Sequence, residues 1–420
     1  MIATRPSSTG TRKFSGWRML VIAIIAGSFT GPGQTVGVSV FINDFIRDLE
    51  LSRDEVSFAY LIGTLAGATA MPAVGQFVDR RGVRLGLLSV SALFGAALFN
   101  MSLVQNWVWL VFGFVFIRML GQGSLSMIST ITVAVWFDKL RGRAMGIMGI
   151  GVSTGIALTP ILMKALSNSF GWRNAWLIAA IAVPAVLFPL AWFGLVDRPS
   201  DIGETHDGGH ASSDNESSST AIWGYTRSEA SRHIGFWLIL SVTTLTSMLV
   251  TGLNFHAIDL LVQNGLTEDE AARMFLPQIL GASAAGLGLG WVVDRTSGRF
   301  LPALSMGLLV LSHLLASFLG SITLVIIYAL SLGITAGGAR VVSSTLLPKW
   351  FGTAHVGSLN GIVSLSSVAG SALGPITLSL AKGSLGSYAT AAVVLSLLPA
   401  SAMIAALFVR PPTPAAATIV

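Results

Sequence analysis

Cysteine is absent from the chain. That removes a disulfide framework, a thiolate metal site and a thiol nucleophile together. Charge is almost as scarce. Asp, Glu, Lys and Arg make up 10% of the 420 residues, against about 25% in soluble domains. A soluble globule of this length could not cover its surface with so few. Chain-wide disorder is excluded by the opposite property, because 53% of the residues are hydrophobic. The sequence also lacks a Gly-x-x-x-x-Gly-Lys-Ser/Thr phosphate loop. No paired carboxylates and no nucleophile–base pair stand at a spacing that suggests catalysis. An enzyme is therefore not expected, and neither is a cofactor or a metal site.

What fills the chain is long apolar tracts. Twelve of them can each cross a bilayer, which takes about 20 residues: 18–43, 56–78, 83–104, 107–136, 144–166, 172–196, 234–263, 271–293, 301–320, 322–347, 357–381 and 386–409. They run continuously, without the alternation of a membrane β-strand. In hydrocarbon a backbone must satisfy its own hydrogen bonds, so each tract reads as a helix. The composition breaks once, at 197–232, a stretch rich in Ser, Asp, Glu, Gly and His. It reads as a flexible linker, with His206 and His210 as solvated linker residues rather than metal ligands. The expected architecture is an all-α membrane protein. A short tail (1–17) precedes a six-helix bundle (18–196), the linker (197–232), a second six-helix bundle (233–409) and a closing tail (410–420).

Arg5, Arg12, Lys13 and Arg18 precede an apolar stretch too long for a signal-peptide core, so 18–43 reads as the first span. Twelve crossings place 17 Lys and Arg on the side holding both chain ends and 6 on the other, with Arg118 and Arg340 inside spans. This bias orients both ends to the cytoplasm of a cell membrane. It also explains the formal charge of +6 through anionic lipid, without nucleic acid.

The second half echoes the first at a shift of 215 residues. Leu51-Ser52-Arg53-Asp54-Glu55 corresponds to Leu266-Thr267-Glu268-Asp269-Glu270, Asp79-Arg80 to Asp294-Arg295, and Gly146, Gly155 and Pro160 to Gly361, Gly370 and Pro375. Six spans per half give both halves one orientation, related by an axis along the membrane normal, with a substrate path between them. Two such bundles can rock about a central site.

Between spans 2 and 3, Gly75, Asp79, Arg80, Gly82 and Arg84 make a compact cluster of small and charged residues. Either it is an ordinary basic loop, or it is a latch made in one conformation and broken in another. Asp294 and Arg295 repeat it. The pattern Gly-x-x-x-Asp-Arg-x-Gly-x-Arg at 75–84 and its degenerate copy at 290–299 resemble the loop signature of the major facilitator superfamily. Arg118 with Gly121 and Gly123 is similar to that family's span-4 arginine motif. The resemblance implies a twelve-helix transporter working by rocker-switch motion. Gly33-Gln34-Thr35, Phe41-Ile42-Asn43-Asp44 and the run Trp136 to Gly146 further resemble the monocarboxylate transporter and oxalate:formate antiporter branch. Span 8 lacks that branch's arginine, and mid-span 11 lacks the lysine of an oxalate-type antiporter.

An ionisable group inside a span costs about 2.5–3.5 kcal/mol on insertion scales, so each is a functional candidate. Arg118 can hold a substrate carboxylate or serve a structural role. Arg340 sits among small residues, where it can bind an anion or snorkel. Gln34 lies where Gly and Pro loosen span 1, and Asn254 lies in span 7; both are candidate substrate hydrogen-bonders. His256 and Asp259 share one helical face and are candidates for proton coupling. His313 reads as structural. The expectation is a monomeric secondary active transporter of a small organic anion, monocarboxylate-like, in a lipid bilayer, with protons as a candidate coupling ion. The rival is an efflux pump of the same fold for hydrophobic or cationic compounds.

Overall fold

Side chains write the helix starts. The Ser52 hydroxyl accepts the Glu55 amide at 3.2 Å, while Glu55 takes the Ser52 amide at 2.7 Å. Thr267 and Glu270 make the same reciprocal pair at 3.2 and 2.9 Å. Each pair satisfies amides that a helix N-terminus leaves free. Asn106 and Ser321 cap two further helices by accepting the amides of Trp109 and Leu324.

The computed structural model describes residues 14–137, 140–205, 224–295, 298–352 and 355–412. Twelve helical passes follow in order: α1 Gly16–Ser39, α2 Arg53–Val78, α3 Arg80–Ser102, α4 Trp107–Trp136, α5 Arg141–Phe170, α6 Trp172–Gly194, α7 Ile234–Phe255, α8 Phe275–Arg295, α9 Leu301–Leu315, α10 Ile322–Phe351, α11 Val356–Leu385 and α12 Tyr388–Phe408. Ten passes are long and apolar enough to cross a membrane. The 21-residue α8 and the 15-residue α9 complete the set. The face near Gly16, Gly194, Ile234 and Phe408 is the terminal face, and the opposite one is the distal face. His206 and His210, both chain ends and half of the linker (206–223) lie outside the described residues.

Two apolar cores form. One gathers buried residues of α1 to α6, and the other gathers those of α7 to α12 with Tyr225 and Ala230. Two side chains cross over. Phe255 of α7 packs in the first core, and Val36 of α1 packs against the second. Within the second half, backbones meet closely. A Cβ at Gly374 would stand 2.0 Å from the Met248 carbonyl oxygen, and one at Gly333 would stand 1.8 Å from that of Gln278. Only glycine lets these helix pairs approach so near.

The repeat extends to element boundaries. Short helices Ile42–Asp48 and Ala257–Gln263 begin and end 215 residues apart, as do α5 and α11. So do two hydrogen bonds. Arg84 donates to the Trp192 carbonyl at 2.6 Å, and Arg299 donates to that of Leu407 at 3.4 Å.

The Gly75–Arg84 segment has little loop. Helical structure runs past the α2–α3 boundary, and the chain turns two residues into α3, at Gly82, where φ is +83°. Arg84 ties the turn to α6 of its own half. Its amide donates to Asp197 Oδ1 at 2.8 Å, and its guanidinium sits 5.5 Å over the Trp192 ring. Arg80 and Arg295 are exposed. Gly75 mediates no close helix contact, because a Cβ there would meet only the Met127 sulfur, at 3.9 Å. The side chains of Asp79 and Asp294 lie outside the described residues.

A Cβ at Gly82 would stand 2.3 Å from Asp197 Oδ1, on top of a left-handed backbone that costs an L-residue about 1–2 kcal/mol. Gly82→Ala is therefore expected to lower the thermal midpoint of the purified protein. Gly171→Ala shares the positive φ but meets nothing within 4 Å, and is expected to lower it less.

Candidate functional site

The first pass is broken at its centre. Gly31–Gly33 forms a single tight turn around Pro32, after which Gln34 is extended and the helix restarts at Thr35. Proline and glycine explain the break, since one removes a donor and the other relaxes the backbone. The break turns Gln34 toward the space between the two bundles, where it lines a cavity of about 590 Å³.

Arg118 secures the break from the side. It is 3% exposed. Its guanidinium donates to the Gly33 carbonyl at 3.2 Å and to Thr64 Oγ1 at 3.1 Å, and lies 4.7 Å over the Tyr60 ring. Tyr60 in turn meets Phe255 of the other half edge-on, at 4.7 Å between centroids. Arg118 borders a side chamber of about 160 Å³ rather than the main cavity. Gln122, Val368 and Ser371 line both. Just past Arg118 the α4 helix widens into a π-turn over Arg118–Leu125, a distortion common at functional sites.

Three of the four residues expected to meet substrate line the main cavity: Gln34, Asn254 and Arg340. Arg340 is exposed to it, and also borders a second cleft, of about 540 Å³, between α5 and α8. No described residue bonds its guanidinium. Among the described residues that line the main cavity, Arg340 is the one charged side chain. The other lining residues are neutral, some aliphatic (Val36, Ile156, Val250, Val363 and Val368) and the rest mostly polar. Thr243, Ser247 and Thr251 come from α7, Ser364, Ser367 and Ser371 from α11, and Gln122 and Asn360 complete the wall. Two hydroxyl pairs join the helices, Ser247 to Ser367 at 2.6 Å and Thr251 to Ser371 at 3.1 Å. The Asn254 Oδ1 and Thr246 Oγ1 atoms are buried without a partner.

Above the cavity, ionic and polar pairs join the two halves at the distal face. Lys164 pairs with Glu268, and the Ser379 hydroxyl donates to Asp54. Asn168 donates to Asp269 at 2.9 Å. Arg53 and Lys382 stand 3.3 and 3.1 Å from Asp259, which also accepts the Tyr388 hydroxyl at 2.7 Å. Asp259 lies past Phe255, the last residue of α7. Burial pushes its carboxyl up, but Arg53, Tyr388 and Lys382 more than offset this and hold it below the usual carboxylate range. His256 is fully buried beside this network. Its Nε2 faces the Pro375 carbonyl at 2.9 Å and its Nδ1 has no partner. Neither His256 nor Asp259 lines the cavity. His313 is buried, with Nδ1 on the Leu309 carbonyl at 3.0 Å.

The terminal halves of the interface helices are open instead. Gly63, Gly67, Gly151 and Gly155 give close helix contacts, as their placement in spans implies. Gly146 and Gly149 do not. A Cβ on either would meet nothing within 4 Å, and both border the cleft between α5 and α8. Gly286 and Gly361 are equally open. The distal clamp was not legible as a site. Arg53, Asp54, Glu268 and Asp269 stand out in the sequence as a repeat, but which helix they meet across the interface is a tertiary fact. The hydroxyl positions on α7 and α11 did carry a signal, a spacing of three or four residues, which places them on one face.

The family model described as Major Facilitator Superfamily matches residues 19–329. Among curated relatives, the 3-(3-hydroxy-phenyl)propionate transporter of Escherichia coli (strain K12) is 27% identical over 80% of this chain and 79% of its own length. The probable L-galactonate transporter of the same strain and monocarboxylate transporter 6 of Homo sapiens are each 28% identical. Those matches take in 36% and 39% of this chain and 32% of either relative. Among solved structures, a bacterial homolog to the human lysosomal transporter Spinster superposes with a TM-score of 0.73 at 15% identity, over 97% of this chain and 100% of that one. The nucleoside transporter NupG gives 0.72 at 13% identity, over 94% and 98%. Twelve passes, a like-oriented repeat, a cavity between the halves and these matches agree: the chain belongs to the major facilitator superfamily.

Proposed function

We propose that this transporter moves a small organic anion, monocarboxylate-like, by alternating access through the central cavity. One observation carries the reading: Arg340 is the sole charge among the described residues lining that cavity, and no described residue pairs with it. A guanidinium deep in a membrane protein is costly unless something negative meets it. A carboxylate fits its fork of donors. A cationic cargo would face Arg340 with no carboxylate among the described wall residues to offset it, which ranks the drug-efflux alternative second. Relatives named for monocarboxylate and phenylpropionate transport add support.

The excess of Lys and Arg on the terminal side supports a cytoplasmic terminal face in a cell membrane. The conformation described would then be closed outside by the distal clamp and open to the cytoplasm. His256 and Asp259 lie in and beside the clamp, away from the cavity. We assign Asp259 to closing the outer gate rather than to carrying a proton beside the cargo. Arg118, tied to Gly33 and Thr64, acts by holding the α1 break that presents Gln34.

Three outcomes test this. In proteoliposomes, Arg340→Ala is expected to cut uptake of a labelled monocarboxylate that the wild type transports at least about tenfold, the loss of one charge-assisted contact. Unchanged uptake removes the anion reading. Arg118→Ala is expected to lower the thermal midpoint, because it strands the Gly33 carbonyl and leaves a void. A midpoint equal to wild type contradicts the bracing role. The chain has no cysteine, so Ser371→Cys gives a single reporter. Adding Asp259→Asn is expected to speed its labelling by an impermeant maleimide from outside. Acid is expected to loosen the clamp only as pH falls through the depressed Asp259 pKa, because a lowered carboxyl pKa keeps the clamp ionised above it; the labelling itself is compared at one neutral pH, since maleimide needs the thiolate. Equal labelling with and without Asp259→Asn contradicts the gate.

A further inference from the structure

The polarity of the central cavity is mostly uncharged. Hydroxyls line it in two rails, one on α7 and one on α11, and the rails are bonded to each other at Ser247–Ser367 and Thr251–Ser371. That mutual bonding fixes the hydroxyls in position and leaves each with hydrogen-bonding capacity to spare. Other groups on the wall have no partner at all among the described residues. The Thr246 hydroxyl oxygen and Asn254 Oδ1 are buried and unbonded, and Thr246 as a whole is 4% exposed. Buried polar groups such as these two are seldom left unmatched in a native protein. The amides of half-buried Gln122 and exposed Asn360, which also line the cavity, are unbonded by any described residue.

Among the described residues that line the wall there is no aromatic side chain. An aromatic acid would find no ring to stack on, and a plain alkyl acid would satisfy Arg340 while leaving the amides and hydroxyls facing methylene groups. A carbon chain with a hydroxyl on several successive carbons would meet both kinds of group. On α7 the polar positions run from Thr243 to Asn254, about 16 Å at 1.5 Å per residue, so they accompany a multi-carbon chain rather than a two- or three-carbon acid.

Building on the anion reading above, we infer that the cargo is a polyhydroxylated monocarboxylate of the sugar-acid type. Its carboxylate meets Arg340, and its hydroxyls run along the rails toward Asn254. A site that hydrogen-bonds substrate hydroxyls discriminates strongly against analogues that lack them, because its own polar groups are then left unpaired.

The test titrates the full-length purified protein with three six-carbon probes and reads the thermal midpoint, from which apparent affinities follow. The probes are gluconate, with carboxylate and hydroxyls; hexanoate, with the carboxylate alone; and glucitol, with hydroxyls alone. Gluconate is expected to stabilise at concentrations at least about tenfold below hexanoate, and to lose that effect in Arg340→Ala. Hexanoate binding as well as gluconate, with both dependent on Arg340, overturns the hydroxylated cargo and spares the anion reading. Glucitol matching gluconate, or gluconate acting equally on Arg340→Ala, overturns the anion reading and the inference with it.

Discussion

A lone guanidinium between two helical bundles is the constraint from which the rest follows. Arg340 enters the cavity from α10, and no carboxylate among the described residues meets it. Most membrane proteins place such a group against a partner or at the headgroups. Here small neighbours, Ala336, Gly337, Gly338 and Ala339, leave it room, and the rest of the described wall is neutral, part dipoles and part aliphatic side chains. Dipoles can solvate a charge, but they do not neutralise it. The remaining partner is cargo, which makes charge selection a property of the resting site rather than of a later step.

The scaffold is nearly symmetric and the chemistry is not. Capping boxes, short helices, long passes and the Arg84 and Arg299 tethers all recur at a shift of 215 residues. The two intramembrane cations do not. The counterpart of Arg118 is Gly333, which gives close contact with the Gln278 backbone, and the counterpart of Arg340 is the buried Leu125. The α1 break has no twin either, because α7 runs unbroken to Phe255. Repetition supplies two rigid bodies that can rock. Departures from repetition supply the groups that recognise cargo, and the two requirements are met by different residues.

The fold was largely legible because membrane insertion is written in local composition. Apolar tracts, glycine and proline placement and the repeat each report on their own stretch of chain. The cavity was partly legible for the same reason. Gln34 sits at a Gly-Pro-Gly break, and Arg340 is a charge in an apolar run, so both stand out. Arg118 stood out equally, yet it turns to the Gly33 carbonyl, because rotamer and neighbour decide where a long side chain points. The distal clamp was hidden. Nothing in their own stretches of sequence marks Lys164 and Lys382 as clamp residues until the packed helices bring Glu268 and Asp259 beside them. Pairing across an interface depends on how two bundles sit together, which no single stretch of sequence encodes.

The most direct measurement is a density map of the protein saturated with a carboxylate that it transports. The account predicts the carboxylate oxygens within hydrogen-bonding distance of the Arg340 guanidinium, with the carbon chain extending toward Asn254. A map that puts the acid elsewhere, while Arg340 pairs with a carboxylate of the protein itself, would contradict it.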